Sequence, residues 1–146
     1  MKSPNDIIVL AEDKLKDADC LFENSRFASA YYLAGYVIEL LLKARVCMNL
    51  GINDIFDFDN LNRKRLNVDN NLNRSLKVHD YDQLLVLSGL HTFYEQENNN
   101  VYFKADWSII SQWSQHSRYL TEKTETEVKD FITSIKNVKS WIENYL

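Results

Sequence analysis

Turn-forming residues are scarce in this chain of 146 residues, which has three glycines and one proline. Sandwiches and barrels need many tight turns, and tight turns draw on those two residue types. The scarcity argues against an all-β architecture and for a few long helices. Cysteine is equally sparse. Cys20 and Cys47 stand alone with no CxxC pair, and they read as reduced, buried packing residues of a cytoplasmic protein. The three histidines, His79, His91 and His116, form no HxxxH or HExxH spacing, so no metal site is expected. Three isolated glycines cannot build a phosphate-cradling loop, and no cofactor is expected. The N-terminus reads Met-Lys-Ser-Pro-Asn-Asp, with no long apolar run behind it, so no signal peptide is expected. No uncharged apolar stretch reaches the roughly 18 residues of a membrane span. The longest candidate, Ala28 to Leu42, is too short and carries Glu39.

What is present is helical periodicity. The length fits one domain, 1–146, and the pattern predicts an all-α, up-and-down bundle of four to five helices. Ser3-Pro4-Asn5-Asp6 is a helix start, with a capping serine and proline at the first helical position. Ile8, Ala11, Leu15, Ala18 and Phe22 follow as one apolar stripe. Asn24-Ser25 is expected to end this helix and cap the next, which runs from about Arg26 to Leu50 and stops at Gly51. This second helix is apolar on most sides, as a helix buried on most sides must be. Gly35 in its middle costs about 1 kcal/mol relative to alanine and suggests close backbone approach. Residues 52–78 lose the pattern and read as a long loop. A third helix is predicted from Asp80-x-x-Gln83 to just before Asn98. A fourth starts near Asp106 and ends at Arg118. A fifth is capped by Thr124-x-x-Glu127 and carries the stripe Val128, Phe131, Ile135, Val138, Ile142.

Net charge is −4, which argues against sequence-blind coating of nucleic acid. The charge is uneven. From Asn60 to His79 there are five basic residues, Arg63, Lys64, Arg65, Arg74 and Lys77, against Asp69 alone. That local excess suits a phosphate that the whole protein would repel.

Three places invite chemistry. Glu39 in the apolar helix is either half exposed in an i,i+4 pair with Lys43, or a buried polar anchor at a site or dimer interface. Arg118, in Ser117-Arg118-Tyr119, is either a cation favourable at a helix C-terminus or a phosphate or RNA contact. Arg74 and His79, in Arg74-Ser75-Leu76-Lys77-Val78-His79-Asp80-Tyr81, could cleave RNA without metal. The histidine would move a proton, and the arginine would stabilise charge developing on phosphate.

The run Ala30-x-Tyr32-x-Ala34-x-x-x-Ile38-Glu39-x-x-Leu42-Lys43-Ala44 resembles the second helix of HEPN domains, the higher eukaryotes and prokaryotes nucleotide-binding family. His79-Asp80 before Leu84 resembles their His-Asp-Leu helix start, with Tyr81 in place of leucine. Ser117-Arg118-Tyr119 resembles their Ser-Arg-Tyr. The motifs occur in the family's order and cover most of the chain. The resemblance implies a helical bundle that forms homodimers in a nucleotide or RNA setting. It also implies pairing with a minimal nucleotidyltransferase in toxin–antitoxin or defence systems, with ligand contacts at Glu39, Lys43, His79, Arg118 and Tyr119. Some members are metal-independent ribonucleases using Arg-x(4–6)-His on a late helix. Here Arg74 falls in the asparagine-rich loop instead, so the chain resembles the Ser-Arg-Tyr branch that lacks a clear ribonuclease motif. A ligand-free helical adaptor, dimerising through Tyr31, Tyr32 and Tyr36, is the third reading.

Overall fold

A computed structural model describes residues 3–54 and 80–146. Among them it contains six α-helices, two short 3-10 turns and no strand. Helix α1 spans Pro4–Glu23 and α2 spans Phe27–Leu50. The short helices α3 (Tyr81–Leu87) and α4 (His91–Gln96) follow, then α5 (Val101–Ile110) and α6 (Glu125–Glu143). The all-α bundle is as expected; the helix count exceeds the predicted four to five.

The start of α1 follows its sequence signal. Ser3 Oγ accepts the Asp6 N–H, and the Asp6 carboxylate accepts the Ser3 N–H, a reciprocal capping box. Its end corrects the expectation that Ser25 caps α2. Ser25 takes φ 58°, and the Ser25 and Arg26 N–H groups reach back to the Phe22 and Leu21 carbonyls. Ser25 therefore closes α1, and α2 starts at Arg26 without a side-chain cap. The same closure ends α2 at Gly51, where Ile52 N–H bonds the Cys47 carbonyl, with Ile52 buried behind it.

The single third helix predicted from residue 80 to 98 is two. The Asp80 carboxylate accepts the Asp82 and Gln83 N–H groups to start α3. Gly89, at φ 75°, then breaks the run, because only a residue without Cβ adopts that conformation freely. Leu90 N–H bonds the Leu85 carbonyl across the break. The next start was also misplaced. The Asn100 side chain accepts the Phe103 N–H and opens α5 five residues before Asp106. Asp106 instead joins α5 to α6, accepting Ser134 Oγ at 2.8 Å and Asn137 Nδ2 at 3.1 Å.

Helices α1, α2, α5 and α6 alternate in direction. Glu12 and Asp19 of α1 pair with Lys139 and Lys136 of α6 respectively, so those two run antiparallel. Phe103 and Asp106 of α5 meet Trp141 and Ser134 of α6, also antiparallel. All five α6 stripe residues, from Val128 to Ile142, are buried. In α1 the stripe is Ile7, Ala11, Leu15 and Ala18, with Ile8 and Phe22 at its flank. Helix α2 has buried residues on most of its circumference and packs against α1, α3, α6 and the second 3-10 turn. Of the cysteines, Cys47 is buried as expected but Cys20 is exposed on α1. Burial pushes the Cys47 thiol up, and the Asp54 charge adds to that shift. No helix among the described residues is long and apolar enough to cross a membrane.

Replacing Asp106 with alanine removes both cross-helix bonds and leaves their donors seeking water. A hydrogen bond to a charged group contributes roughly 1.5–3 kcal/mol, so Asp106→Ala should lower stability by about 2 kcal/mol. Urea unfolding should show a lower midpoint at unchanged slope.

Candidate functional site

The site is built on the middle of α2, where Gly35 leaves its backbone bare. A Cβ added at Gly35 would lie 2.1 Å from Cε2 of Trp113. The indole thus occupies the volume that any other residue would fill. Its Nε1 donates to the Tyr32 carbonyl at 3.2 Å. Tyr81 stacks on the indole at 5.7 Å between ring centroids and 8° between planes. The Tyr81 hydroxyl donates to the Gly35 carbonyl at 2.6 Å. Tyr36 meets the indole edge-on at 5.2 Å, and the Tyr32 and Tyr36 hydroxyls hydrogen-bond at 2.9 Å. Two side chains from distant segments are thus tied to consecutive turns of one helix. Asp80, Tyr81, Asp82, Ser111, Trp113 and Ser114 line a cleft of about 290 Å³ beside them.

Polar groups frame these rings. Glu39 lies one turn after Gly35 and is 2% exposed. Lys43 Nζ contacts its Oε1 at 2.5 Å. Glu39 therefore pairs with Lys43 as the first reading has it, but its carboxylate is buried rather than half exposed, with Lys43 partly buried. Burial raises the Tyr36 phenol above its ordinary range, the Tyr32 hydrogen bond and the Glu39 charge add to this, and Arg118 pulls the other way. Burial likewise raises Tyr81, with Glu39 reinforcing it. Glu39 and Arg118 therefore both act on the same tyrosine.

Arg118 and Tyr119 belong to the 3-10 turn Gln115–Tyr119 rather than to the end of a long helix. Ser114 opens the turn by accepting the His116 N–H. The Arg118 guanidinium lies 4.9 Å over the Tyr119 ring, both residues are exposed, and no carboxylate pairs with Arg118 among the described residues. An unpaired guanidinium on an exposed ring is suited to a phosphate with a stacked base beside it.

The predicted site residues therefore divide. Glu39 and Lys43 are committed to each other inside the fold. Arg118 and Tyr119 are available. Arg74 and His79 lie outside the described residues, as does the basic run. Tyr81, which completes the Arg-x4-His-x-Tyr spacing, is a buried structural group. Tyr31 also departs from the expected aromatic surface, being buried against Phe131 at 4.2 Å. Trp113 escaped the sequence reading as a site residue, although the mid-helix glycine signalled that something must approach there. Among the described residues no cluster of three or more His, Cys, Asp or Glu is placed to hold a metal ion. No family model, curated protein or solved structure matches the chain.

Gly35→Ala gains helix propensity of about 1 kcal/mol yet drives a methyl into the indole. Overpacking of this kind costs typically 1–3 kcal/mol, and here the wedge also breaks two hydrogen bonds. Thermal unfolding should show net destabilisation, and a higher melting temperature would refute the steric reading. Lys43→Met removes one cation from the buried Glu39 carboxylate, and breaking a buried pair from one side costs about 3–5 kcal/mol. The double variant Glu39→Met/Lys43→Met should recover most of that loss in a double-mutant unfolding cycle.

Proposed function

We propose that this chain is a HEPN-like domain associated with nucleotide or RNA. In this reading it works as a homodimer, and as the partner of a minimal nucleotidyltransferase in a toxin–antitoxin or defence system. The turn carrying Arg118 and Tyr119 takes the ligand. The supporting observation is the exposed guanidinium, free of carboxylate partners among the described residues and stacked on an exposed tyrosine, on a turn packed against α2. A phosphate needs such a cation, and a base needs such a ring. The order of the Ala-x-Tyr-x-Ala, His-Asp and Ser-Arg-Tyr motifs supports the family half of the reading. The buried Glu39–Lys43 pair acts here as a fixed support under Tyr36 rather than as a ligand contact. No catalytic step is assigned, since Arg74 and His79 lie outside the described residues.

The test is fluorescence anisotropy of labelled ATP and short single-stranded RNA with purified protein at moderate salt. Binding should weaken about tenfold in Arg118→Ala, with a salt slope shallower by about one. Tyr119→Ala should weaken it by about 1–3 kcal/mol, the range for one stacked base. No binding to either probe removes the ligand half and leaves a protein partner alone.

A further inference from the structure

Between Ile110 and Val128 only two residues are buried, Trp113 and Ser117. Every other side chain in that stretch is exposed or partly exposed. The turn Gln115–Tyr119 holds itself together with local bonds: Ser117 N–H to the Ser114 carbonyl at 2.9 Å and Leu120 N–H to the Ser117 carbonyl at 3.1 Å. Those bonds set its internal shape. They do not fix where it rests on α2, and Ser117 is too small to do so by apolar burial. Trp113 is the large apolar anchor of the segment. The notch at Gly35 fixes its depth, the Nε1 bond to the Tyr32 carbonyl fixes its rotation, and the Tyr81 ring stacks on it.

We infer that Trp113 is the positioning residue for the Arg118–Tyr119 turn, setting its place against α2. The ligand consequence rests on the function proposed above; the placement of the turn does not. The same indole also receives Tyr81, at the start of α3. One ring therefore references both the α3 start and the Arg118 turn to α2, and the cleft lined by Asp80, Asp82, Ser111 and Ser114 lies between them.

Amide hydrogen exchange on the full chain tests this, comparing Trp113→Leu and Trp113→Phe with Ile135→Ala as a core control on α6. In Trp113→Leu, protection of Ser117 and Leu120 should fall at least about tenfold below that in the control. Amides of α1 and α6 should fall equally in both. Trp113→Phe keeps a ring in the notch but loses the Nε1 donor, so turn protection should fall to a level between wild type and Trp113→Leu. Labelled RNA binding should follow the same order, weakest in Trp113→Leu and nearly normal in the Ile135→Ala control. Turn protection in Trp113→Leu equal to that in the control overturns the inference, whether or not RNA binds. Wild-type protein that binds no RNA sinks the functional proposal instead, and the exchange result still decides the role of Trp113. Should Trp113→Leu fail to fold, Trp113→Phe carries the test alone: loss of the Nε1 donor should raise turn exchange above that of α1, and unchanged exchange there overturns the inference.

Discussion

A helix that is apolar around most of its circumference has no face to give to water, so its neighbours must cover it on almost every side. Helix α2 imposes that condition here. Ala30, Ala34 and Ala44 in α2, with Ala11 and Ala18 in α1, are fully buried, and small residues of this kind permit close approach of paired helices. Gly35 carries the same economy of volume to its limit, admitting an indole where a methyl group would not fit. The one carboxylate within this stretch, Glu39, is tolerated because Lys43 reaches it one turn later. Burying an ionised group without such a partner is strongly unfavourable.

Much of the bundle was legible because local signals and global packing agree in its long helices. The α6 stripe, the capping boxes of α1 and α6, and the stop at Gly51 all follow from short-range rules. The misreadings occur where one residue type can serve two roles. Asp106 is a plausible helix cap, yet its carboxylate bridges Ser134 and Asn137. Ser25 is a good cap by type, but its backbone is used to close α1. Gly89 falls within the span predicted as one helix and, at φ 75°, is the break between two. In each case a tertiary contact, or the closure of a preceding element, outweighed the local preference.

The candidate site was legible in part. Arg118 and Tyr119 could be picked from the motif, but their place on a separate short turn could not. Glu39 could be flagged by the cost of burying it, and its partner by i,i+4 spacing. Trp113 was hidden because no sequence rule pairs residues so far apart, and Gly35 said only that something comes close. The polar chemistry nearest to solvent therefore sits on a turn with little apolar substance of its own, leaning on a rigid aromatic latch. In the proposed function that division sets a soft recognition element on a hard support, a common way to place binding groups.

The latch also has a consequence for how the chain matures. Tyr81 reaches Gly35 across 46 residues of sequence, and Trp113 reaches Tyr32 across 81. During synthesis the α1–α2 hairpin is complete long before either aromatic exists to cover the notch. Until residue 113 has been made, the notch at Gly35 in the middle of α2 lacks the indole that fills it. Closure of long sequence loops is slow compared with helix formation. The residues that close the notch are thus made after the notch itself, and the last third of the chain covers the first.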